Sequence, residues 1–288
     1  MTKLIMSMPN KGRIFAPTLA LLQEAGIYTN GFDERLLSVE TAMPNLTLML
    51  VRASDIPRFV ESGAADLGIT GLDMVMESGC NVARLLDLRF GFAKVVLAAP
   101  PDHSSPGDLR DGIKVATELP NLTSEYFKRI GIKPKIVEIS GAAEIMPRMK
   151  VADVVVDIMS TGTTLQLQGL SVLDELLSSS AWLIGNKSSL ENAGKEDAMD
   201  FVKTILESTI AARSRRLVMM NVPDDKLEDV VKLIPAMGGP TIARVESTPP
   251  MWEVYSVVES KSIFDVVKAV KSAGARDILV MKIEKVMP

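Results

Sequence analysis

Short apolar runs alternate with amphipathic segments along most of the chain. Seven runs are predicted to be strands, at residues 4–8, 46–51, 67–70, 93–99, 114–117, 135–139 and 154–158. Those at 46–51 and 154–158 have the composition of buried strands. Helices are predicted between several of the seven strands, at 14–25, 56–61, 124–130 and 144–149. Asn121 and Thr123 precede the helix at 124–130 and are predicted to cap it. Strands that alternate with helices in this way predict an α/β fold with mainly parallel sheets.

The C-terminal part of the chain follows a different plan. A long amphipathic helix from residue 196 to about 215 ends in several arginines, which marks a boundary. After it, strands are predicted at 217–221, 241–246, 252–258 and 278–283, with helices at 226–234 and 263–273. This βαββαβ order is the ferredoxin-like plan.

The first part is predicted to form two lobes. The strand at 93–99, followed by a proline-rich connection, takes the chain into a second lobe, and the segment 172–184 returns it to the first. This is the layout of two-lobed, periplasmic-binding-protein-like (type II) folds, whose ligands lie between the lobes. We therefore expect lobe I at 1–95 and 180–212, lobe II at 96–179 and a C-terminal domain at 215–288.

Composition and charge exclude several classes of function. The 288 residues carry a net charge of −4 and no basic run, which argues against a nucleic-acid or membrane-surface role. Cys80 and His103 are each the only residue of their type, so a disulfide within the chain, a Cys/His zinc site and a Ser-His-Asp triad are excluded. No apolar run approaches the roughly 20 residues of a membrane-spanning helix. Because no signal peptide is recognisable either, we expect a cytoplasmic location.

The stretch at 153–165 is the strongest candidate for chemistry. It reads Asp-Val-Val-Val-Asp-Ile-Met-Ser-Thr-Gly-Thr-Thr-Leu, which is a buried strand, an acid, a turn on Gly162 and a helix start. Backbone N–H groups and the helix dipole favour an anion at such a turn. Hydroxyl donors are added by Ser160, Thr161, Thr163 and Thr164. The carboxylate of Asp157 accepts hydrogen bonds from sugar hydroxyls, so a sugar phosphate fits this loop best. The alternative is an ordinary helix cap, with Asp157 satisfied locally.

Charged and small residues also follow three predicted strands of lobe I. They are Lys11, Gly12 and Arg13 after the first strand, Arg52 after the second, and Gly71 and Asp73 after the third. Open α/β sheets bind ligands at the carboxyl ends of their strands, so the cations are candidates for phosphate contacts and the three turns are candidates for one shared cleft. Solvated surface charges are the alternative.

The segment at 144–165 closely resembles the signature of ATP phosphoribosyltransferase, the first enzyme of histidine biosynthesis. The matching features are Glu144, the acid Asp157 and the run Ser-Thr-Gly-Thr-Thr-Leu. Similar stretches are Lys-Gly-Arg at 11–13, Ala-Asp-Leu-Gly-Ile-Thr-Gly at 65–71 and Pro-Asn-Leu-Thr at 120–123. One position departs from the pattern: Lys150 stands where the family usually carries Gly, which bears on a turn upstream of the strand.

The resemblance implies a reaction and residue roles. Adenine N1 of ATP attacks C1 of 5-phosphoribosyl 1-pyrophosphate, which gives N1-(5-phosphoribosyl)-ATP and pyrophosphate. The loop at 160–164 is implied to bind the 5-phosphate, and Asp157 to bind the ribose and stabilise an oxocarbenium-like transition state. ATP and phosphate contacts are implied for Lys11, Gly12, Arg13, Arg52, Gly71 and Asp73. Mg²⁺ is expected to arrive with the substrates rather than on a protein metal site, and Glu144 has no clear role.

The C-terminal domain resembles the regulatory domain of the long form of that enzyme, which binds histidine as a feedback inhibitor. By the same resemblance the protein forms homo-oligomers, as dimers and hexamers. Two alternatives remain from the sequence: a non-catalytic two-lobed small-molecule binding protein, or an amino-acid sensor. Product formation from ATP and phosphoribosyl pyrophosphate separates both alternatives from the enzyme.

Overall fold

The structure is a computed structural model that describes residues 3–28, 37–235 and 239–287. The chain divides into two compact units, Met1–Lys203 and Thr204–Pro288. In the described ranges, we find no helix with both the length and the apolar character needed to cross a lipid bilayer.

The described part of the first unit alternates strands and helices. Its strands are β1 (Leu4–Pro9), β2 (Ser38–Glu40), β3 (Leu46–Val51), β4 (Leu67–Gly71), β5 (Ala83–Asp87), β6 (Ala93–Ala99), β7 (Lys114–Thr117), β8 (Lys135–Glu138), β9 (Val154–Met159), β10 (Ser171–Ser179) and β11 (Ala181–Gly185). Its helices are α1 (Phe15–Glu24), α2 (Ile56–Glu61), α3 (Leu72–Ser78), α4 (Pro120–Arg129), α5 (Thr163–Leu167), α6 (Lys187–Leu190) and α7 (Ala193–Arg213), the last of which continues into the second unit.

Lobe I is built on a sheet whose described strands have the order β2-β3-β1-β4-β11-β5. β1 pairs in parallel with β3 and β4, whereas β2, β11 and β5 run antiparallel to their neighbours. The parallel strands are apolar and largely buried, as expected for strands covered on both faces. Because they run in the same direction, the loops that follow β1, β3 and β4 lie at one edge of the sheet.

Lobe II is built on a second sheet with the order β10-β6-β9-β7-β8. β9 lies between β6, to which it is antiparallel, and β7, to which it is parallel. Val154 and Val156 pack with Phe127 in one hydrophobic cluster, and Val155 packs in a cluster on the other face. The β-branched run at 154–156 is therefore buried from both sides, as its composition predicts.

Two adjacent connections join the lobes. β6 enters lobe II at Ala93, and β10 leaves it at Ser179, where these two residues face each other in the antiparallel pair. The chain then returns to lobe I through β11, where the Ala181 N–H donates to the Phe90 carbonyl oxygen at 2.9 Å. The predicted two-lobed α/β class is confirmed.

The second unit contains β12 (Arg215–Pro223), α8 (Leu227–Val231), β13 (Thr241–Val245), β14 (Met251–Glu259), α9 (Ile263–Ser272) and β15 (Arg276–Lys282). Its described strands form an antiparallel sheet of order β13-β14-β12-β15. Val218, Val222 and Val254 pack against Val230 and Val270 of the helices. The predicted ferredoxin-like βαββαβ domain is confirmed.

Two helix predictions in lobe II are wrong. α4 begins at Pro120, a residue well suited to the first helical position, so Asn121 and Thr123 lie inside the helix and do not cap it. Thr123 Oγ1 instead donates to the Leu119 carbonyl oxygen at 2.7 Å. The helix expected at 144–149 is only a 3₁₀ turn at Ala143–Ile145, because a proline follows within two residues.

Candidate active site

The loop after β9 joins a left-handed glycine to the start of a short helix. Gly162 has a φ of 79°, which glycine adopts without steric cost, and α5 follows at once. The Gln166 N–H donates to the Gly162 carbonyl oxygen at 3.1 Å and closes the first helical turn. The N–H groups earlier in the loop therefore have no acceptor within the helix and are oriented for an anion.

Exposed hydroxyl groups surround these N–H groups. The side chains concerned are those of Ser160, Thr161, Thr163 and Thr164, all exposed. Thr161 Oγ1 and Thr163 Oγ1 lie 3.1 Å apart, so both can reach the same small anion. The structure thus brings the predicted hydroxyl donors together on one loop.

Asp157 lies in β9, two residues before the last residue of the strand, and is half-buried. The pKa of its carboxyl is raised to about 6, chiefly by burial and to a smaller extent by the charges of Glu144 and Glu118. The Ile158 N–H, which donates to Asp157 Oδ1 at 2.7 Å, lowers the pKa but only in part. A carboxylate in this setting gains strongly from a hydrogen-bond donor or a positive charge brought close to it.

The two acids whose charges act on Asp157 come from separate elements of lobe II. Glu144 belongs to the 3₁₀ turn Ala143–Ile145, which packs on β9. Glu118 directly follows β7, the parallel neighbour of β9. The sequence leaves Glu144 without a role and does not select Glu118. Its position after a strand parallel to β9 is the signal that could have selected it.

The edge of the lobe I sheet at which β1, β3 and β4 end carries exposed cations. The Asn10 N–H donates to the Val51 carbonyl oxygen at 2.8 Å and holds the ends of β1 and β3 together. Lys11 and Gly12 follow β1, Arg52 follows β3, and all three are exposed. Within the residues that the structure describes, neither cation forms an ion pair, so both charges remain available to phosphate groups.

Arg13 and Asp73, predicted separately as substrate contacts, are paired with each other. Arg13 Nη2 lies 2.9 Å from Asp73 Oδ2, and the Asp73 side chain is 1% exposed. Ser179 Oγ donates to Asp73 Oδ1 at 2.8 Å, and Arg13 Nη1 donates to the Gly91 carbonyl oxygen. Ser179 and Gly91 lie at the two connections between the lobes. The Arg13–Asp73 pair therefore links the strand ends of lobe I to both connections. The prediction that Asp73 contacts ATP stays a prediction.

Position 71 needs glycine because another side chain lies close to its backbone, not because its backbone conformation is unusual. Its φ of −72° is available to any residue, but a Cβ atom here would overlap Asp73 Oδ1. Glycine therefore lets the Asp73 side chain fold back over the start of α3. This steric reason is independent of any ligand.

A cavity of about 470 Å³ lies between the lobes beside the loop after β9. Met159 and Ser160 line it from lobe II, and Leu72 and Trp182 line it from lobe I. Phe92, in the connection between the lobes, adds an aromatic wall that is 66% exposed. Flat apolar walls next to a loop of hydroxyl and N–H donors suit the base of a nucleotide.

Lys150, the departure from the family pattern, has a left-handed backbone. Its φ is 57°, and its N–H donates to the Pro147 carbonyl oxygen at 3.0 Å. This conformation is strained for any residue with a side chain, which is why glycine suits the position. The turn is nevertheless kept in this chain.

The acids around Asp157 fit a metal ion only as part of a larger set of ligands. No group of three or more His, Cys, Asp or Glu side chains among the described residues is arranged to hold a metal ion. Mg²⁺ usually binds through one or two carboxylates together with substrate phosphates. Asp157 with Glu144 or Glu118 provides that number, so the residues fit a magnesium ion that the substrate brings.

The chain matches known families in two consecutive segments. Residues 52–208 match the family model described as ATP phosphoribosyltransferase, and residues 212–285 match the model described as HisG, C-terminal domain. The first segment includes the loop after β9, and the second covers all the described strands of the ferredoxin-like sheet.

Relatives of nearly the same length agree with these matches. ATP phosphoribosyltransferase of Ignicoccus hospitalis is 48% identical over 98% of this chain and 99% of its own. The enzyme of that name from Methanosarcina acetivorans is 44% identical over the same shares of the two chains. A solved structure, of the ATP phosphoribosyl transferase (HisG:HisZ) complex from Thermotoga maritima, is similar with a TM-score of 0.62 and 25% identity, and it covers 71% of this chain and 97% of the matched chain. The chain therefore belongs to the ATP phosphoribosyltransferase family, the phosphoribosyl-transferring enzymes of histidine biosynthesis.

Proposed function

We propose that this enzyme joins C1 of 5-phosphoribosyl 1-pyrophosphate to N1 of the adenine of ATP, with release of pyrophosphate. The products are N1-(5-phosphoribosyl)-ATP and pyrophosphate. The observation that carries this proposal is the loop after β9, where the N–H groups at the start of α5, four exposed hydroxyls and the half-buried Asp157 occur together. The alternatives, a non-catalytic binding protein or an amino-acid sensor, do not agree with membership of an enzyme family.

In this proposal the loop at 160–164 binds the 5-phosphate of the pentose. Its N–H groups and hydroxyls supply the donors, and the hydroxyls of Thr161 and Thr163 are close enough to share one phosphate. Asp157 then accepts hydrogen bonds from the ribose hydroxyls. These contacts orient C1 toward the cavity beside Ser160.

The chemical step exchanges one bond at C1 for another. The C1–O bond to pyrophosphate breaks, the leaving oxygen keeps the electron pair, and the lone pair of adenine N1 forms the new C1–N bond. Positive charge develops on the ribose during this exchange, and the Asp157 carboxylate stabilises it. Adenine N1 carries an available lone pair, so no general base is needed to activate it.

Mg²⁺, when bound with the pyrophosphate, neutralises charge on the leaving group. Asp157, with Glu144 or Glu118, would supply the protein's share of its ligands. We assign no fixed metal site to the chain, because the substrate provides most of the coordinating oxygens.

We assign ATP to the lobe I side of the cleft. Lys11 and Arg52 are exposed cations at the strand ends and suit the phosphates of ATP. Gly12 lies between Lys11 and Arg13 in the same turn. Leu72, which lies between Gly71 and Asp73, lines the cavity with Trp182 and Phe92, and these apolar walls suit the adenine. Arg13 reaches a phosphate only if its contact with Asp73 is shared or broken.

We also propose the functional limits of the domains. Lobe I comprises 1–95 and 180–212, lobe II comprises 96–179, and residues 215–288 form a regulatory domain that binds histidine as a feedback inhibitor. The match of 212–285 to the C-terminal family model supports this last assignment. The oligomers are dimers and hexamers, and the location is cytoplasmic, where ATP is available.

The test is to mix the protein with ATP, phosphoribosyl pyrophosphate and Mg²⁺ and to follow the ultraviolet absorbance of the adenine. Substitution at N1 changes this absorbance, so the expected result is a change that needs both substrates and is reversed by added pyrophosphate. Omitting either substrate is the control. No change with both substrates present contradicts the proposed reaction.

A further inference from the structure

Glu77 connects the two lobes away from the loop after β9. It lies near the end of α3 in lobe I and is half-buried. Glu77 Oε1 accepts the Asn121 N–H at 3.0 Å, and Oε2 accepts the Leu122 N–H at 2.9 Å. The backbone carbonyl oxygen of Glu77 also accepts from Asn121 Nδ2 at 2.9 Å. One residue of lobe I therefore forms three hydrogen bonds with the first turn of α4 in lobe II.

These bonds replace a cap that α4 does not have. The residue before the helix, Leu119, has no side-chain acceptor, and no side-chain cap is formed at that position. Pro120 has no N–H, so the N–H groups of Asn121 and Leu122 are the first that need an acceptor. Glu77 supplies both of its carboxylate oxygens, and the helix dipole favours the negative charge there.

The capped turn directly follows residues that line the cleft between the lobes. A cavity of about 330 Å³ is lined by Glu118 and Asn121 from lobe II and by Arg58, Met74 and Glu77 from lobe I. Met74, one turn before Glu77, packs against the hydrophobic core of lobe II. The start of α4 is thus held against α3 by apolar packing and by the carboxylate of Glu77.

Glu118 makes this arrangement relevant to the candidate active site. It lies three positions before Asn121 in the chain, and its charge acts on Asp157. If α4 moved away from α3, the segment that carries Glu118 would move with it. The distance between the acids of lobe II and the cations of lobe I would then change.

We propose that Glu77 is a positioning residue that stabilises the closed arrangement of the lobes by capping α4 across the cleft. It does not touch the substrates but acts through α4. In two-lobed proteins, the contacts between the lobes set the balance between open and closed states. A ligand that binds the closed state loses apparent affinity in proportion to the fraction of closed molecules. This last step rests on the proposed function, whereas the contact itself does not.

The first test measures hydrogen–deuterium exchange of α4 in the full chain without substrates. Glu77→Gln keeps one acceptor oxygen and replaces the other with an amide group that cannot accept a hydrogen bond. We expect the exchange of the peptide that contains Asn121 and Leu122 to become at least about tenfold faster, by loss of charge-assisted hydrogen bonds. Glu125→Gln, on the exposed face of the same helix, removes the same charge and should exchange like wild type.

The second test separates KM from kcat. Glu77→Gln should raise KM for the substrates about 5- to 20-fold, with kcat changed by no more than about twofold. Glu77→Asp keeps the charge on a shorter side chain and should give an intermediate KM. It also serves as the test variant if Glu77→Gln does not fold. Glu125→Gln should match wild type in both constants.

The two proposals can fail separately. If wild type forms no product but Glu77→Gln still accelerates exchange in α4, the proposed reaction fails and the contact across the lobes stands. If wild type is active but the Glu77 variants match Glu125→Gln in exchange or in KM, the positioning role is overturned. A fall in kcat with KM unchanged also overturns it.

Discussion

The charged carboxylate of Asp157 lowers the stability of the fold but serves the proposed reaction. The pKa of its carboxyl is about 6 in the folded chain, above the 3.8 of a freely solvated aspartate, chiefly because it is buried. Between these values the folded state binds more protons than the unfolded state, so stability falls as the pH rises from about 4 to 6. Above pH 6 the folded state bears the full free-energy cost of burying the charged carboxylate. The folded protein therefore holds a carboxylate at the site that the proposed transition state uses.

Asp157→Asn should make the protein more stable and less active. The amide keeps the shape but removes the buried charge, so we expect the free energy of unfolding at pH 8 to rise by up to about 3 kcal/mol. The gain should fall to about half at pH 5, where the wild-type carboxyl is mostly protonated in the fold. Loss of transition-state stabilisation should lower kcat by about 10²- to 10³-fold. Urea unfolding at both pH values and the absorbance assay measure these effects.

Asp225→Asn is the matched control, because that side chain is 75% exposed. It should leave both stability and activity near the wild-type values. An Asp157→Asn variant with full turnover contradicts the assigned role. A variant less stable than wild type at pH 8 contradicts the account of the buried charge.

Lys150→Gly should stabilise the protein without affecting catalysis. The residue is exposed and has a φ of 57°, a strained conformation that glycine relieves. After subtraction of the greater freedom of glycine in the unfolded chain, we expect a gain of about 0.5 to 1 kcal/mol. Lys268→Gly, in the interior of α9, should instead destabilise by about 1 kcal/mol. Thermal unfolding measures the stability of both variants. An equal loss of stability in the two would contradict the inference that the backbone of Lys150 is strained.

Sequence alone predicts single residues best where their neighbours in the chain set their role. Gly162 and the four hydroxyls of the loop after β9 act within one turn, so the sequence predicts them as a set. The pairing of Arg13 with Asp73 joins residues sixty positions apart and depends on the tertiary fold. For the same reason Glu77, which caps a helix of the other lobe, has no signal in its local sequence.

At the scale of elements, the loop after β9 is proposed to gain most of its affinity from hydrogen bonds to the 5-phosphate. Thr161→Val removes one exposed hydroxyl and keeps the shape of the side chain. A hydrogen bond to a charged group is worth about 1.5 to 3 kcal/mol, so KM for phosphoribosyl pyrophosphate should rise about 10- to 100-fold. Steady-state kinetics with each substrate varied in turn measure this.

KM for ATP should change little in that variant, because the hydroxyl is assigned to the other substrate. Thr241→Val, at an exposed position of β13, is the control and should match wild type. An unchanged KM for phosphoribosyl pyrophosphate in Thr161→Val would contradict the assignment of the loop.

Elements with a strong pattern are predicted closely, and weakly patterned ones are missed. The strands at Leu46–Val51, Ala93–Ala99 and Lys114–Thr117 have the predicted bounds, because continuous apolar runs mark strands buried on both faces. β2 and β5 escape prediction, since both lie at edges of the first sheet and are short or partly polar. Their pairing is a property of the sheet rather than of their own residues.

At the scale of the whole molecule, the chain is longer than the part of it that one solved relative matches. The Thermotoga maritima structure matches 71% of this chain with 97% of its own, so part of this chain has no counterpart there. The residues at 212–285 form the ferredoxin-like domain and match the C-terminal family model. Regulation, and not the transfer step, is the function that we propose for this domain.

Deleting residues 217–288 should leave phosphoribosyl transfer in place and abolish inhibition by histidine. The measurement is initial rate against histidine concentration for the full and the shortened chain. Inhibition that survives the deletion would place the effector site in the first unit. A shortened chain that is folded but inactive would show that the second unit is needed for catalysis.

The proposed reaction requires the loop after β9 to bind the phosphate of the activated pentose while Asp157 binds its sugar. The most direct measurement is a crystal structure of the wild-type protein with phosphoribosyl pyrophosphate bound. We predict 5-phosphate oxygens within hydrogen-bond distance of the N–H groups and hydroxyls of 160–164, and ribose hydroxyls within hydrogen-bond distance of Asp157. A pentose bound with its phosphate elsewhere, and no contact to this loop, would contradict it.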